Sequence, residues 1–238
     1  MDPRVLRAVL WALLLSASGC AVPHRLSIPI MPPLIPAPAA SVLWLESFAE
    51  LSPEQWREVE VRRRTGYRAA RMGGRACLEA RSRNGASVLL HPIQFDPGTY
   101  EWLSWDWRVD QPVAGEDLTK KAGSDAPARL YVYFNTRGLP WQKRSLDYVW
   151  SSALPPGTIL HSAFSSESAI IVLEGASAPG HWRHERRNLR DDYRRCFDGA
   201  VPEVIALGIM TDTDNTRGEA LAYYADFRVG RGESGRAR

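Results

Sequence analysis

The sequence predicts an all-β protein, a two-layer antiparallel β-sandwich, on three observations. Short runs of alternating apolar and polar residues recur from Val42 to Val229, with Gly-containing turns between them. No stretch carries the apolar spacing of a long amphipathic helix. About ten short strands joined by turns bury their apolar faces most simply as two packed sheets.

Residues 1–20 read as an export signal. Arg4 and Arg7 form a basic start, Ala8 to Leu15 is an uncharged apolar run, and Ser16-Ala-Ser-Gly-Cys20 supplies small residues before a cysteine. The run falls short of the about 20 apolar residues a membrane-spanning helix needs. Residues 17–20 resemble a bacterial lipobox, with Ala17 where a larger aliphatic residue is usual. The resemblance implies lipidation at Cys20 and a membrane partner through that anchor; an ordinary cleaved signal is the alternative. Residues 21–40 hold Pro23, Pro29, Pro32, Pro33, Pro36 and Pro38 and read as an extended tether. Its aliphatic residues, such as Leu26 and Ile35, suit docking on the domain or on lipid.

Residues 41–230 remain as one sandwich domain long enough for a core, and 231–238 as a disordered tail. A formal net charge of +3 argues neither for nucleic acid nor for a strongly acidic partner. Cys77 and Cys196 are candidates for a disulfide in an oxidising compartment, with two buried thiols as the alternative.

Val42 to Phe48 opens the fold, and Glu58 to Arg64, Arg75 to Arg81 and Ser87 to His91 follow. In Thr99 to Val109, Leu103, Trp105, Trp107 and Val109 share one face, and Trp102, Ser104, Asp106 and Arg108 the other. Asp110 to Pro127, with Glu116, Asp117 and Asp125, is too long for a simple hairpin and is a candidate functional loop. From Arg129 to Thr136, Leu130, Val132 and Phe134 look inward, and Arg129, Tyr131, Tyr133 and Asn135 outward. Leu146 to Ser151, Ala169 to Leu173 and the charged Trp182 to Asn188 complete the middle, with a short helix over Leu189 to Phe197.

The C-terminal stretch carries the strongest signal. Ile205, Leu207 and Ile209 alternate with a face bearing Met210, Asp212 and Asp214; Asn215 to Gly218 is turn chemistry. A returning strand places Leu221, Tyr223, Ala225, Phe227 and Val229 together, and Tyr224, Asp226 and Arg228 opposite. The expectation is an antiparallel hairpin with aspartates on its outer face. Asp212, Asp214 and Asn215 offer oxygens to a hard cation such as calcium, acceptors to Arg108 or Arg129, or an acid/base pair; a polar strand end capped by an Asx turn is the plain alternative. Glu46 and Asp226 are a second, weaker calcium candidate. No nucleophile elbow, phosphate-binding glycine loop or dinucleotide fingerprint is present.

Leu103-Ser-Trp-Asp-Trp-Arg-Val109, Ala128-Arg-Leu-Tyr-Val-Tyr-Phe134, Tyr148-Val-Trp-Ser151, Glu185-Arg-Arg-Asn188 with Asp191, and Ile209-Met-Thr-Asp-Thr-Asp-Asn-Thr216 resemble the bacterial domain-of-unknown-function family 3047 (DUF3047). The likeness runs from about Trp44 to Val229 and implies an envelope protein, with no activity to transfer. Leu45-Glu-Ser-Phe48 and Tyr224-Ala-Asp-Phe-Arg-Val229 look like the first and last strands of jelly-roll carbohydrate-binding modules. That likeness implies a jelly-roll, galactose-binding-like sandwich.

The resulting expectation is an envelope lipoprotein on the periplasmic side whose sandwich binds a glycan or another polar small molecule. A hydrolase of envelope or extracellular glycans using Asp212 and Asp214 is one alternative, and a structural lipoprotein contacting protein partners another. Trp102, Asp106, Arg108, Arg129, Tyr131, Tyr133, Asn135, Asp212, Asp214 and Asn215 are expected to line the binding surface, the charged ones converging on one face.

Overall fold

Thirteen strands and one helix carry the chain through the residues that the computed structural model describes, 41–137, 143–176 and 179–232. Cys20, the signal, the tether and most of the tail lie outside the described residues. The order is β1 (Val42–Glu46), β2 (Arg57–Arg62), β3 (Gly66–Met72), β4 (Arg75–Arg83), β5 (Ala86–Phe95), β6 (Trp102–Gln111) and β7 (Ala126–Phe134). There follow β8 (Ser145–Trp150), β9 (Ile159–Ser162), β10 (Ser165–Glu174), β11 (Arg183–Asn188), α1 (Leu189–Cys196), β12 (Val204–Asp212) and β13 (Glu219–Gly230).

The strands form two layers. A six-stranded sheet runs β11-β6-β13-β4-β3, with β1 also on β13, and a seven-stranded sheet runs β2-β5-β12-β7-β8-β10-β9. Neighbours are antiparallel except β8 and β10. The fold is an all-β jelly-roll sandwich. Two strands were not legible. Gly73 and Gly74, at φ 59° and 85°, close the two-residue β3–β4 turn, where positive φ at both positions suits a hairpin. β9 is a four-residue edge strand, too short to show a period.

The core fills the space between the sheets. Trp105 and Trp107 from β6 meet edge to face with centroids 5.5 Å apart, and Trp107 meets Trp150 of β8 at 5.9 Å. Leu130, Val132 and Phe134 of β7 face the same core, as their alternation requires. α1 is capped by Asn188, whose side chain accepts from the Arg190 and Asp191 amides.

Three expectations are corrected. β12 and β13 lie in opposite sheets, so residues 213–218 cross between layers and no hairpin forms. The period of β13 also breaks. Ala222 and Tyr224 face the core, then a bulge at Asp226, with φ 50°, shifts the register so that Phe227 and Val229 face it. Tyr224 is therefore a core residue. A second bulge, between Val204 and Ala206, likewise sends Ile205 outward while Leu207 and Ile209 stay in the core.

Cys77 and Cys196 are both free. Cys77 packs on the outer face of the six-stranded sheet with Tyr223 and Ala225, whereas Cys196 at the end of α1 packs against the main core. The thickness of a sheet separates the two environments, so the expected disulfide is replaced by two thiols. Burial raises both thiol pKa values, Cys196 to about 11.

Candidate functional site

The outer face of the seven-stranded sheet carries a groove of about 980 Å³. Its floor is set by alternation in adjacent strands. β7 contributes Arg129, Tyr131 and Tyr133; β12 contributes Ala206, Met210 and Asp212; β8 contributes Ser145 and Asp147. Val88 and Leu90 of β5 and the exposed Val59 and Val61 of β2 extend an apolar strip to one edge. Phe164, in the β9–β10 turn and 58% exposed, stands on the other side.

Tyr131 and Tyr133 stack with centroids 5.4 Å apart and an interplanar angle of 12°. Gly208 makes room for them. A Cβ there would lie 2.9 Å from Val88 Cγ1 and 3.1 Å from Tyr133 Cε2, so any larger residue displaces a ring or the neighbouring strand's valine. The Tyr131 hydroxyl donates to Met210 Sδ at 3.3 Å.

Beside the rings lies a charged end. Arg129 is 4% exposed; its Nη1 is 3.8 Å from Asp147 Oδ2, and its Nη2 donates to the Ser124 carbonyl at 3.4 Å. Asp147 also accepts from Ser145 and Ser168, at 2.7 and 2.6 Å. Burial raises the Asp147 pKa, and Arg129 and these hydroxyls oppose the rise. Asp212 is 3% exposed and accepts from the Ala126 amide at 3.1 Å. Burial pushes its carboxyl up to about 7; Arg129 opposes that rise, while Asp125 and Asp214 add to it. One oxygen each from Asp125, Asp212 and Asp214 lie within 4.8 Å of one another. Two polar atoms lining the groove, Ser124 Oγ and Arg129 Nε, are buried with no partner among the described residues.

What aligns this end is the Tyr224 hydroxyl, reaching across from β13. It donates to the Met210 carbonyl at 2.8 Å and accepts from the Arg129 amide at 3.2 Å, at the rung where β12 and β7 pair these two residues. Next to that rung the β12–β7 register shifts between Met210 and Asp212, and the shift points Asp212 at Ala126.

Six expected residues thus meet: Arg129, Tyr131, Tyr133, Asp212, Asp214 and Asn215. The expected convergence with Trp102, Asp106 and Arg108 fails, because β6 belongs to the opposite sheet. Asp106 is bound there by Arg75 and His184, and Arg108 by Asp110. Trp102 lines a second groove, of about 890 Å³, with Arg186 at 3.8 Å over its ring. Asn135 lies past the end of β7, its amide bonded to the Glu203 carbonyl. Glu46 and Asp226 share that second groove, but Glu46 accepts from the Phe48 amide and Trp56 Nε1 and Asp226 pairs with Arg75, so they are not the expected free cation pair. Asp147 was missed although the alternation of Ser145 and Asp147 with Leu146 and Tyr148 marks it; Asp125 was visible only as one acid in a polar loop.

Removing the Tyr224 hydroxyl strands a buried N–H and a buried carbonyl, which costs about 1–3 kcal/mol. Tyr224→Phe should therefore lower the melting temperature by about 3–10 °C in calorimetry. An unchanged midpoint would show that the two sheets are aligned by packing alone.

A carboxyl whose folded pKa exceeds its unfolded value opposes folding once charged. For Asp212 the penalty is absent below about pH 4, grows as pH rises through the folded value of about 7, and is complete above it. In chelator-containing buffer, Asp212→Asn should raise the melting temperature at pH 8 by about 2–6 °C and leave it unchanged near pH 4. A pH-independent difference would sink this account.

The family model described as a protein of unknown function (DUF3047) matches residues 54–228. No curated protein matches the chain. Among solved structures the chain is similar to the family 30 carbohydrate-binding module of a cellulosomal cellulase of Clostridium thermocellum, at 12% identity and a TM-score of 0.44, covering 81% of this chain and 100% of that one. It is also similar to a xylan-binding domain from Paenibacillus barcinonensis, at 13% identity and a TM-score of 0.38, covering 82% and 96%. A third is the xyloglucanase domain of a type three effector from Sinorhizobium fredii, at 8% identity and a TM-score of 0.40, covering 79% and 98%.

Proposed function

We propose that this chain, which belongs to the family of proteins of unknown function DUF3047, binds a glycan in the groove of its seven-stranded sheet without cleaving it. One observation carries the reading: the stacked Tyr131 and Tyr133 rings lie beside a buried polar end whose Ser124 Oγ and Arg129 Nε have no partner among the described residues. A sugar presents apolar C–H surface and ring hydroxyls that both donate and accept. The groove supplies the complement of each, with aromatic and aliphatic surface along the floor, acceptors on Asp147 and Asp212, and donors on Arg129.

A hydrolase of envelope or extracellular glycans is a second reading. Oxygens of Asp212 and Asp214 lie within 4.8 Å, near the about 5 Å separation of retaining glycosidases, and an Asp212 pKa of about 7 suits a general acid. Against it, Asp212 is 3% exposed and already accepts from a backbone amide.

Glycan-array and calorimetric titration of the full-length protein test both readings. Tyr133→Ala and Gly208→Ala should each weaken the glycan found by at least about tenfold, a cost of about 1.4 kcal/mol. Asp106→Asn, on the opposite sheet, should leave affinity unchanged. Loss with Asp106→Asn and not with Tyr133→Ala would move the site to the other face. Reducing ends released by the wild type and not by Asp212→Asn would replace binding by hydrolysis.

The setting proposed for this domain is the cell envelope, lipid-anchored through Cys20 after the small residues that precede it. Cys20→Ser should abolish fatty-acid labelling and release the protein from the membrane fraction. Labelling that survives the substitution excludes the anchor.

A further inference from the structure

We infer that Asp125, Asp212 and Asp214 form a binding site for a hard divalent cation of the calcium class, with Ser124 Oγ as a further oxygen ligand. The inference does not depend on the groove's ligand being a glycan. Two loops and one strand build the site. Asp125 ends the β6–β7 loop, Asp212 ends β12, and Asp214 lies in the crossing that follows.

The cluster is built rather than incidental. Asp125 accepts from the Asn215 and Thr216 amides, at 3.1 and 2.6 Å, which ties the β6–β7 loop to the crossing. Asp212 Oδ1 takes the Ala126 amide and Asp214 Oδ1 takes Asn215 Nδ2, so Oδ2 of both remains available among the described residues. Two oxygens on one calcium ion, each at about 2.3–2.6 Å, stand no more than about 5 Å apart. The three carboxylates meet that limit, with one oxygen of each inside 4.8 Å.

Charge and hydrogen bonding point the same way. Asp147 makes the ion pair with Arg129 and has two serine donors of its own. Among the described residues no ion pair joins a second arginine to the three remaining carboxylates. Lys143, elsewhere in the groove, is bonded to the Thr136 carbonyl, and Arg62 belongs to edge strand β2, two strands from β12. Buried charge of one sign is costly unless paired or metal-bound. The independent sign of a ligand is Ser124 Oγ. Ser124, the residue before Asp125, is 3% exposed and lines the same groove as Asp212 and Asp214, and its Oγ has no partner among the described residues. A hard cation takes a hydroxyl oxygen as readily as a carboxylate one.

The test is calorimetric titration of calcium into the chelator-treated full-length protein with no glycan present, followed by terbium luminescence excited through the tyrosines. One calcium per chain should bind, and Asp214→Asn and Ser124→Ala should each weaken it, Asp214→Asn by at least tenfold. Because Asp125 also ties two loops together, Asp125→Asn is read alongside circular dichroism, and Asp214→Asn decides if that variant unfolds. No calcium binding up to millimolar concentration by folded protein would overturn the inference. So would binding that both Asp214→Asn and Ser124→Ala leave intact. Calcium binding without any glycan found would fail the proposed function and leave this site standing.

Discussion

The arrangement depends on one hydroxyl. Tyr224 belongs to the six-stranded sheet yet completes the backbone hydrogen bonding of the other, donating to Met210 and accepting from the Arg129 amide. Thr211 adds a hydroxyl contact at 3.0 Å. A tyrosine can do this only if it faces inward, and in β13 that holds because the bulge at Asp226 comes after it. A local register change in one sheet thus fixes which rung of the other can open. At that rung the outward side chains are Arg129 and Met210, so the cross-sheet bond sets the position of the groove's charged end. Tyr67 plays a similar part from β3, its hydroxyl donating to the Ser87 and Ile209 carbonyls at 2.6 and 3.2 Å.

The groove's charges are held at unequal cost. Asp147 has a guanidinium and two serines, which favour its charged form and oppose part of the rise that burial causes. Asp212 is as deeply placed, but two neighbours are carboxylates that repel its charge, so its carboxyl rises to about 7. A carboxyl placed so as to disfavour its own ionisation opposes folding at neutral pH. Strain of this kind is expected where binding energy recovers it, which separates the Asp212 end from the Asp147 end although both border Arg129.

Much of the fold was legible because alternation is a local property. The inward sets of β6 and β7 stand where period two puts them, and Arg129, Tyr131, Tyr133 and Asp212 line one groove for the same reason. What local pattern does not contain is sheet membership. β6 and β7 alternate identically and lie in opposite layers, so Asp106 and Arg108 face away from Arg129. Bulges are the other blind spot. The single extra residue at Asp226 reversed the faces assigned to Tyr224, and the one after Val204 turned Ile205 outward. Asp125 was out of reach for a third reason, since its place beside Asp212 is set by backbone amides of residues 215 and 216.

The two outer faces make a comparison within the molecule. Each carries a groove of similar volume with aromatic and charged residues, so size and composition do not separate them. Hydrogen bonding does. On the six-stranded face Arg75 bridges Asp106 and Asp226, His184 also bonds Asp106, and Arg186 covers Trp102. Those groups satisfy one another, and a ligand that engages Asp106 or Asp226 must first break their bonds to Arg75 and His184. On the seven-stranded face Ser124 Oγ and Arg129 Nε are left over, and like-charged carboxylates stand together. A buried donor without an acceptor has already incurred its desolvation cost, so a ligand that supplies the acceptor gains nearly the whole of the new bond. The same reasoning ranks the two ends of the groove: the aliphatic strip of Val88 and Leu90 offers area without direction, and the Arg129–Asp212 end decides orientation and identity.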